Sequence, residues 1–262
     1  MDILVCVKRV PDTAENEISL EAGGADIRRE DLVYAVNEFD NYAVEEAIQI
    51  VEREGGTVTV VSVGAAEAEE GVRREMAMGA AQGLLLKDPA FDRSDGLGLA
   101  TILAAAVRKG AYDLILTGAQ ADDGAAQVGG MLAALLDWPF ASLVNRIAVA
   151  GDHLDIGREV EGGSQEVNDI DLPCVLSIQT GINEPRYVGL RGIRKVASVA
   201  IPVLDAGALG LAPGSVGLAG AKVRRLDYFV PPAGTGARML TGSTEDLAAQ
   251  LLELLKAKGG IK

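Results

Sequence analysis

The sequence predicts an α/β protein built on a doubly wound, mostly parallel β-sheet. Short apolar runs rich in Val, Ile and Leu recur in the first half of the chain, as expected for strands buried on both faces of a sheet. Helical patterns separate these runs, and this alternation favours right-handed crossovers that cover both faces. The predicted strands are Ile3–Val7, Thr57–Val63, Leu84–Leu86 and Leu114–Leu116.

The helical patterns between these strands have recognisable ends. The first follows Asp40, which is a good N-cap residue, and the pair Gly55 and Gly56 ends it. Glu45 and Glu46 are expected on its solvated face. Two further helices are predicted at Thr101–Val107 and Val128–Leu136.

Ligands of such sheets bind beyond the carboxyl ends of the strands. Three loops should therefore meet at one edge of the sheet, namely Lys8–Thr13, Ser62–Ala65 and Gly118–Gln127.

The second half of the chain follows a different pattern. Alternating residues around glycine turns predict antiparallel hairpins over about 143–179, ending in a return to a core strand. After Val199 the sequence is rich in Gly, Ala and Pro, until Ser243 or Thr244 caps a final helix at Thr244–Lys256. We therefore predict an α/β domain at 1–200 and a C-terminal arm at 201–262 that packs on a partner subunit.

Composition excludes several classes of partner and chemistry. A net charge of −14 over 262 residues disfavours binding to nucleic acid or to an anionic membrane surface. Cys6 and Cys174 have no spacing typical of a disulfide framework. The apolar run at the start of the chain is too short for the core of a signal peptide, and no later apolar run is long enough to insert in a membrane. A cytoplasmic protein is therefore expected. The single histidine, His153, excludes a Ser/His/Asp or Cys/His nucleophile set and has no metal-ligand companion.

The stretch Leu114–Leu136 is the most informative feature of the chain. Its sequence, LILTGAQADDGAAQVGGMLAALL, runs from a strand through a Gly/Asp/Gln loop into an amphipathic helix. Unpaired N–H groups at the start of such a helix favour a phosphate group. Neither a Walker loop nor a GxGxxG motif is present, so this stretch alone does not identify the nucleotide.

Eight segments occur together in a distinctive order. The set is VCVKRVPDT at 5–13, NEFDNYAVEEAIQI at 37–50, VSVG at 61–64, AMGA at 77–80, GAQADDGAAQVGGMLAALLDWP at 118–139, REVEGG at 158–163, LPCVLSIQ at 172–179 and NEPRYVGLRGIRK at 183–195. In this order and spacing the chain resembles the beta (small) subunits of electron transfer flavoproteins over essentially its whole length. The resemblance is more specific than any one segment.

This resemblance implies an electron carrier subunit rather than an enzyme, on an adenine-nucleotide-binding type of α/β fold. The family's alpha subunit, the heterodimer partner, holds most of the redox FAD, and the beta subunit holds AMP or, in the electron-bifurcating branch, a second FAD. An acyl-CoA dehydrogenase-type flavoprotein exchanges electrons with the pair. The residues divide between AMP-like and bifurcating features, so both ligands stay open.

The resemblance also assigns site residues. Contacts to AMP or the second FAD are expected from Cys6, Asn37, Val63, Gly118, Asp122, Asp123, Gly124, Ala125, Ala126, Gln127 and Val128. Thr13 and Glu159 are expected near the FAD of the alpha subunit. In the recognition loop at 183–195, Leu190 is expected to enter a pocket of the dehydrogenase beside Arg191, within a basic rim that includes Arg186, Arg194 and Lys195.

Two departures from the family pattern leave alternatives open. The loop QADDGAAQ is one residue short and places Ala125 and Ala126 where a phosphate-binding side chain is expected, so an empty site is a third outcome. The turn at Asn37–Asp40 lacks the family's proline. The alternative functions are a stand-alone adenine-nucleotide-binding regulatory protein and a nucleotide-hydrolysing enzyme of related fold.

Overall fold

The computed structural model describes residues 1–121, 124–234 and 236–261. The chain divides into two compact units. The larger unit comprises Met1–Ser19 and Arg28–Leu226, and the smaller unit comprises Leu20–Ile27 and the described part of the segment after Leu226.

Eleven strands form two sheets within the described residues. Their bounds are β1 (Asp2–Cys6), β2 (Arg9–Pro11), β3 (Tyr34–Val36), β4 (Thr57–Val63), β5 (Gln82–Leu86), β6 (Leu114–Gly118), β7 (Phe140–Ala150), β8 (His153–Val160), β9 (Ser164–Asp171), β10 (Cys174–Ile178) and β11 (Val203–Leu204). The main sheet has nine strands in the order β11-β5-β4-β1-β6-β10-β7-β8-β9, and β2 and β3 form a separate antiparallel pair.

Eight α-helices accompany these strands in the described part of the chain. Their bounds are α1 (Glu38–Glu54), α2 (Ala68–Met78), α3 (Gly96–Val107), α4 (Val128–Leu136), α5 (Leu190–Val196), α6 (Ala206–Leu209), α7 (Gly217–Gly220) and α8 (Thr244–Ala257). Among these helices, none combines the length and the apolar character that crossing a membrane requires.

The predicted fold class is confirmed. The seven strands from β11 to β7 in this order pair in parallel with one another, and β8 and β9 extend the sheet from β7 by antiparallel pairing. The core has two layers because successive residues of a strand face opposite sides. Ile3 and Val5 pack in the cluster that contains buried residues of α1, whereas Leu4 packs in the cluster that contains those of α3 and α4.

The start of α1 differs from the prediction. Asn37, not Asp40, occupies the N-cap position, so Asp40 lies inside the first helical turn. The physical reason is that the Asp40 carboxylate is used elsewhere: it accepts the backbone N–H groups of Lys8 and Gly118 at the ends of two core strands.

The predicted final helix is confirmed as α8. Ser243 and Asp246 form a reciprocal capping box at its start, which satisfies two N–H groups that would otherwise lack partners. No residue of α8 is buried, and its leucines are exposed, among them Leu251 and Leu254. The expected packing of the C-terminal arm on a partner subunit stays a prediction.

Candidate functional site

Three predicted site residues lie at the ends of neighbouring parallel strands. Cys6 ends β1, Val63 ends β4 and Gly118 ends β6, and β1 pairs with both of the other strands. Their carboxyl ends therefore meet at one edge of the sheet, as the sequence predicted. The binding roles of these residues stay predictions.

Asn37 connects two of the loops at this edge. Its backbone N–H donates to the carbonyl of Lys8 at 2.8 Å, and its side-chain Nδ2 donates to the carbonyl of Gln120 at 2.8 Å. Asn37 is 4% exposed. It fixes the loop after β1 to the loop after β6, and its side chain accepts no capping hydrogen bond from the backbone of α1.

The loop between β6 and α4 is the predicted phosphate site. Gly124, Ala125, Ala126 and Gln127 are exposed, and Val128 begins the helix. Ala126 has a φ of 54°, which places its backbone in the left-handed region. The first N–H groups of α4 have no partner within the helix, so they suit an anion. Asp122 and Asp123 lie outside the described residues.

The amino end of α4 packs directly on the strand ends. A Cβ at Gly129 would overlap the Ser177 hydroxyl and come within 2.9 Å of the Thr117 hydroxyl. These two hydroxyls, from β10 and β6, are buried and share a hydrogen bond of 2.8 Å. Only glycine permits this close approach, which holds the start of the helix at the edge of the sheet.

Asp40 is a site residue that the sequence analysis missed. Its Oδ2 accepts from the N–H of Lys8 at 2.8 Å and its Oδ1 accepts from the N–H of Gly118 at 3.0 Å. Burial raises the pKa of Asp40 to about 7, although hydrogen bonds from Asn37, Lys8 and Gly118 act in the opposite direction. Its sequence signal was its place just before the first helical pattern, which we interpreted as an N-cap.

Two other titratable groups lie near Asp40. Burial, and next the charge of Asp40, raise the pKa of the Cys6 thiol, so this cysteine stays protonated and is suited to a backbone contact. Glu75 of α2 is fully buried, and burial raises its pKa to about 7 while its ion pair with Arg74 opposes that shift.

Thr13 and Glu159 are not part of this strand-end cluster. Thr13 is exposed in the loop after β2. Glu159 is exposed on β8, and β10 and β7 lie between that strand and β6 in the sheet. Among the described residues, no group of three or more His, Cys, Asp or Glu side chains could hold a metal ion.

The predicted recognition residues lie at the start of a short helix, α5. Leu190 is its first residue and is 73% exposed, and Arg191 is exposed beside it. The helix is held on α2, because Arg73 donates to the carbonyls of Val196 at 2.7 Å and Val199 at 3.0 Å. The anchored helix therefore presents Leu190 to solvent.

The prediction that Arg186 belongs to a basic rim around Leu190 is wrong. Its guanidinium donates to both Glu45 oxygens, at 2.9 and 3.0 Å, and to Glu52 of the same helix. Although burial alone would raise it, these hydrogen bonds hold the pKa of Glu45 below its usual value. Arg186 thus fixes the segment before α5 onto α1 and does not belong to a free rim.

The expectation that Glu45 and Glu46 form a solvated face is wrong for the same reason. Glu45 is 3% exposed and Glu46 is 5% exposed. The segment before α5 covers both side chains: Arg186 pairs with Glu45, and the side-chain amide of Asn183 donates to Glu46 at 3.0 Å. Burial raises the pKa of Glu46, and this amide partly offsets the shift.

Comparisons with known proteins identify the family of this chain. The sequence model of the electron transfer flavoprotein domain family matches residues 26–209 of this chain. The chain is 34% identical over 260 residues to the electron transfer flavoprotein subunit beta of Thermoanaerobacterium thermosaccharolyticum, covering 98% of this chain and 99% of that protein. It is 36% identical over 262 residues to the caffeyl-CoA reductase-Etf complex subunit CarD of Acetobacterium woodii, covering 98% and 99%.

Similarity extends to animals. The human electron transfer flavoprotein subunit beta is 34% identical over 256 residues, covering 96% of this chain and 97% of the human protein. Such matches span the parallel sheet, the antiparallel extension and the segment that carries α8. The chain therefore belongs to the electron transfer flavoprotein beta-subunit family.

Proposed function

We propose that this chain is the beta subunit of a heterodimeric electron transfer flavoprotein and carries out no bond-making step of its own. Similarity over nearly the full length of several beta subunits is the observation that carries the proposal. In this arrangement the alpha subunit holds most of the redox FAD. The beta subunit supplies the surrounding surface and binds a nucleotide at the ends of β4, β1 and β6.

The strand-end site suits the adenylate group that AMP and FAD share. Cys6 and Val63 offer backbone groups at strand ends, where N–H and carbonyl groups can recognise an adenine ring. The exposed backbone from Gly124 to Gln127 and the first turn of α4 suit the phosphate. When bound, a flavin in the pair would supply the redox chemistry, and this chain would position it.

An acyl-CoA dehydrogenase-type flavoprotein is the proposed electron partner. One of the relatives is named as a subunit of a caffeyl-CoA reductase-Etf complex, which supports a partner that acts on a CoA thioester. Leu190, Tyr187 and Ile193 expose apolar surface at α5, at 73%, 93% and 48%. An apolar anchor beside exposed Arg191 and Arg194 is typical of an interface hot spot.

Mass spectrometry of nucleotides released from the co-purified heterodimer tests whether the beta subunit binds AMP, a second FAD or neither. One FAD and one AMP per dimer identify an ordinary electron carrier, and two FAD identify the bifurcating type. One FAD alone shows that the shortened loop has lost the beta site. A colourless pair, or a chain that catalyses turnover without a second subunit, contradicts the proposed function and favours the stand-alone nucleotide-binding alternatives.

The variant Leu190→Ala tests the proposed docking of the dehydrogenase on α5. Truncating a central apolar anchor costs about 2 kcal/mol or more, which corresponds to a roughly thirtyfold weaker interaction. We expect slower reduction by the dehydrogenase with unchanged bound nucleotide. Val203→Ala, on the edge strand β11 and 51% exposed, is the matched control. Equal reduction rates in Leu190→Ala and the unmodified protein remove Leu190 as the anchor.

A further inference from the structure

Asp40 connects the two central strands of the sheet at the proposed nucleotide site. Its two oxygens accept one backbone N–H each, from Lys8 just after β1 and from Gly118 at the end of β6. The last paired residues of these strands are Val5 and Leu116. The carboxylate therefore continues the connection between β1 and β6 beyond the point where their ladder ends.

The fit around this carboxylate is close. A Cβ at Gly118 would overlap both Asp40 Oδ1 and the Cβ of Phe39. Asp40 itself is 6% exposed. Asn37, one turn earlier, fixes the next part of the β6 loop through the carbonyl of Gln120. The first turn of α1 thus controls where the loop from Gly118 begins its path towards α4.

We propose that Asp40 is a positioning residue for the nucleotide, and that its ionised carboxylate is required to hold the ends of β1 and β6 in the binding arrangement. This inference rests on the proposed nucleotide-binding function. The carboxylate accepts two N–H groups, whereas the protonated acid has a hydroxyl in place of one acceptor. Protonation therefore releases one strand end and weakens nucleotide binding.

The groups that face Asp40 determine when it is ionised. Asn37 on its own helix, the amides of Lys8 and Gly118, and the charge of Lys8 favour the carboxylate. Burial opposes ionisation and dominates, so the pKa is about 7. The Cys6 thiol and the Glu75 carboxyl also interact with the Asp40 charge. Because Lys8 and two N–H donors offset that charge, we expect it to act on the phosphate less strongly than the positions of the loops do.

The test measures AMP affinity by calorimetry between pH 6 and pH 8, using the full chain in its heterodimer after bound nucleotide has been removed by dialysis. With a pKa of about 7, the ionised fraction changes by about tenfold over this range, and the affinity should follow it. In Asp40→Asn an amide nitrogen faces one of the N–H donors. We expect about tenfold weaker binding at pH 8 for this variant.

The pH profile separates positioning from a general loss of structure. The phosphate of AMP titrates in the same range, but it affects both proteins equally, so the affinity ratio of unmodified to Asp40→Asn protein isolates Asp40. This ratio should fall towards one at pH 6. Glu75→Gln is the matched control, because it removes another buried carboxyl with a pKa of about 7 but keeps both N–H bonds of Asp40. It should retain the pH dependence, even if Asp40→Asn fails to fold.

Amide hydrogen exchange at Lys8 and Gly118 distinguishes the inference from the proposed function, because it needs no nucleotide. Exchange at these two amides should become faster on acidification relative to the amides of Val5 and Leu116. If AMP does not bind but this exchange pattern appears, nucleotide binding fails and the bridge between the strands stands. An AMP affinity of Asp40→Asn equal to that of the unmodified protein at pH 8, or no change at the two amides, overturns the role of Asp40.

Discussion

At the scale of single residues, four carboxyl groups lie buried in the interior of the protein. Asp40, Glu45, Glu46 and Glu75 are all at most 6% exposed, yet their environments differ. Arg186 stabilises the charged form of Glu45, whereas burial raises the pKa of Asp40 and Glu75 to about 7. These groups therefore respond to pH in opposite directions.

The helical pattern of α1 could be predicted, but the burial of its acidic residues could not. The partner of Glu45 is Arg186, which lies 141 residues later in the sequence. Local spacing contains no information about that contact, so Glu45 and Glu46 resembled a solvated face. Asp40 was found at the correct helix end, but its acceptance of N–H groups from β1 and β6 depends on the assembled sheet.

Glu75→Gln should stabilise the protein at alkaline pH. Because burial raises the pKa of Glu75 from 4.5 to about 7, the folded state binds more protons than the unfolded state between those values. The stabilisation of the folded state by this extra bound proton is therefore fully present below about pH 4.5 and is lost as the pH rises through about 7. We expect Glu75→Gln to raise the free energy of unfolding by about 1–3 kcal/mol at pH 8 and to change it little at pH 4.

Denaturant titrations at the two pH values check this prediction. The variant should show a smaller loss of stability with rising pH, the remainder coming from Asp40 and Glu46, whose pKa values are also raised by burial. Glu67→Gln, at the exposed start of α2, is the control and should behave like the unmodified protein. A slope with pH that is the same in Glu75→Gln and the unmodified protein contradicts the role of Glu75 burial.

At the scale of elements, long periodic segments were predictable and short paired ones were not. The parallel strands, the antiparallel extension and α8 were all predicted from periodicity. The β2–β3 pair was missed because each strand has three residues, too few for an alternating pattern. β11 has two residues and becomes a strand only by pairing with the edge strand β5.

The segment before α5 shows how a charged residue can fix the position of an exposed apolar one. Arg186 donates to Glu45 and Glu52, so a salt bridge attaches this segment to α1. Removing Arg186 leaves Glu45 buried without its ion-pair partner. We expect Arg186→Ala to cost about 1–3 kcal/mol of unfolding free energy, below the ~3–5 kcal/mol of a fully buried pair because the guanidinium side is partly exposed.

This cost should depend on pH. The Glu45 pKa is lowered by Arg186, so the stabilisation is present above the usual pKa of a glutamate and is lost as the pH falls. Denaturant titrations at pH 7 and pH 4 should therefore show a larger difference at pH 7. Arg194→Ala, exposed on α5, is the control. A change below about 0.5 kcal/mol at pH 7 would show that the ion pair contributes no more than an ordinary surface contact.

At the scale of the whole molecule, charge and apolar surface are distributed unevenly. The chain carries a net charge of −14, but Arg191, Arg194 and Lys195 are exposed together on α5 beside Leu190. The rest of the surface therefore repels acidic partners while this helix can attract one, which favours docking in a single orientation. The proposed nucleotide site at the strand ends and the α5 surface are separate in the chain and can be tested independently.

The smaller unit should become stable only with a partner. α8 has a good capping box, but none of its residues is buried, and an isolated helix of this length is marginal in water. We expect amides of α8 in the chain alone to be protected from hydrogen exchange by less than about tenfold, while those of β1 and β6 are strongly protected.

Adding AMP should increase protection only near the strand ends. Adding the alpha subunit should protect α8, because its exposed leucines, including Leu251 and Leu254, would then be covered. Strong protection of α8 in the chain alone would show that this helix needs no subunit to cover it, and the proposed arm would lose its support.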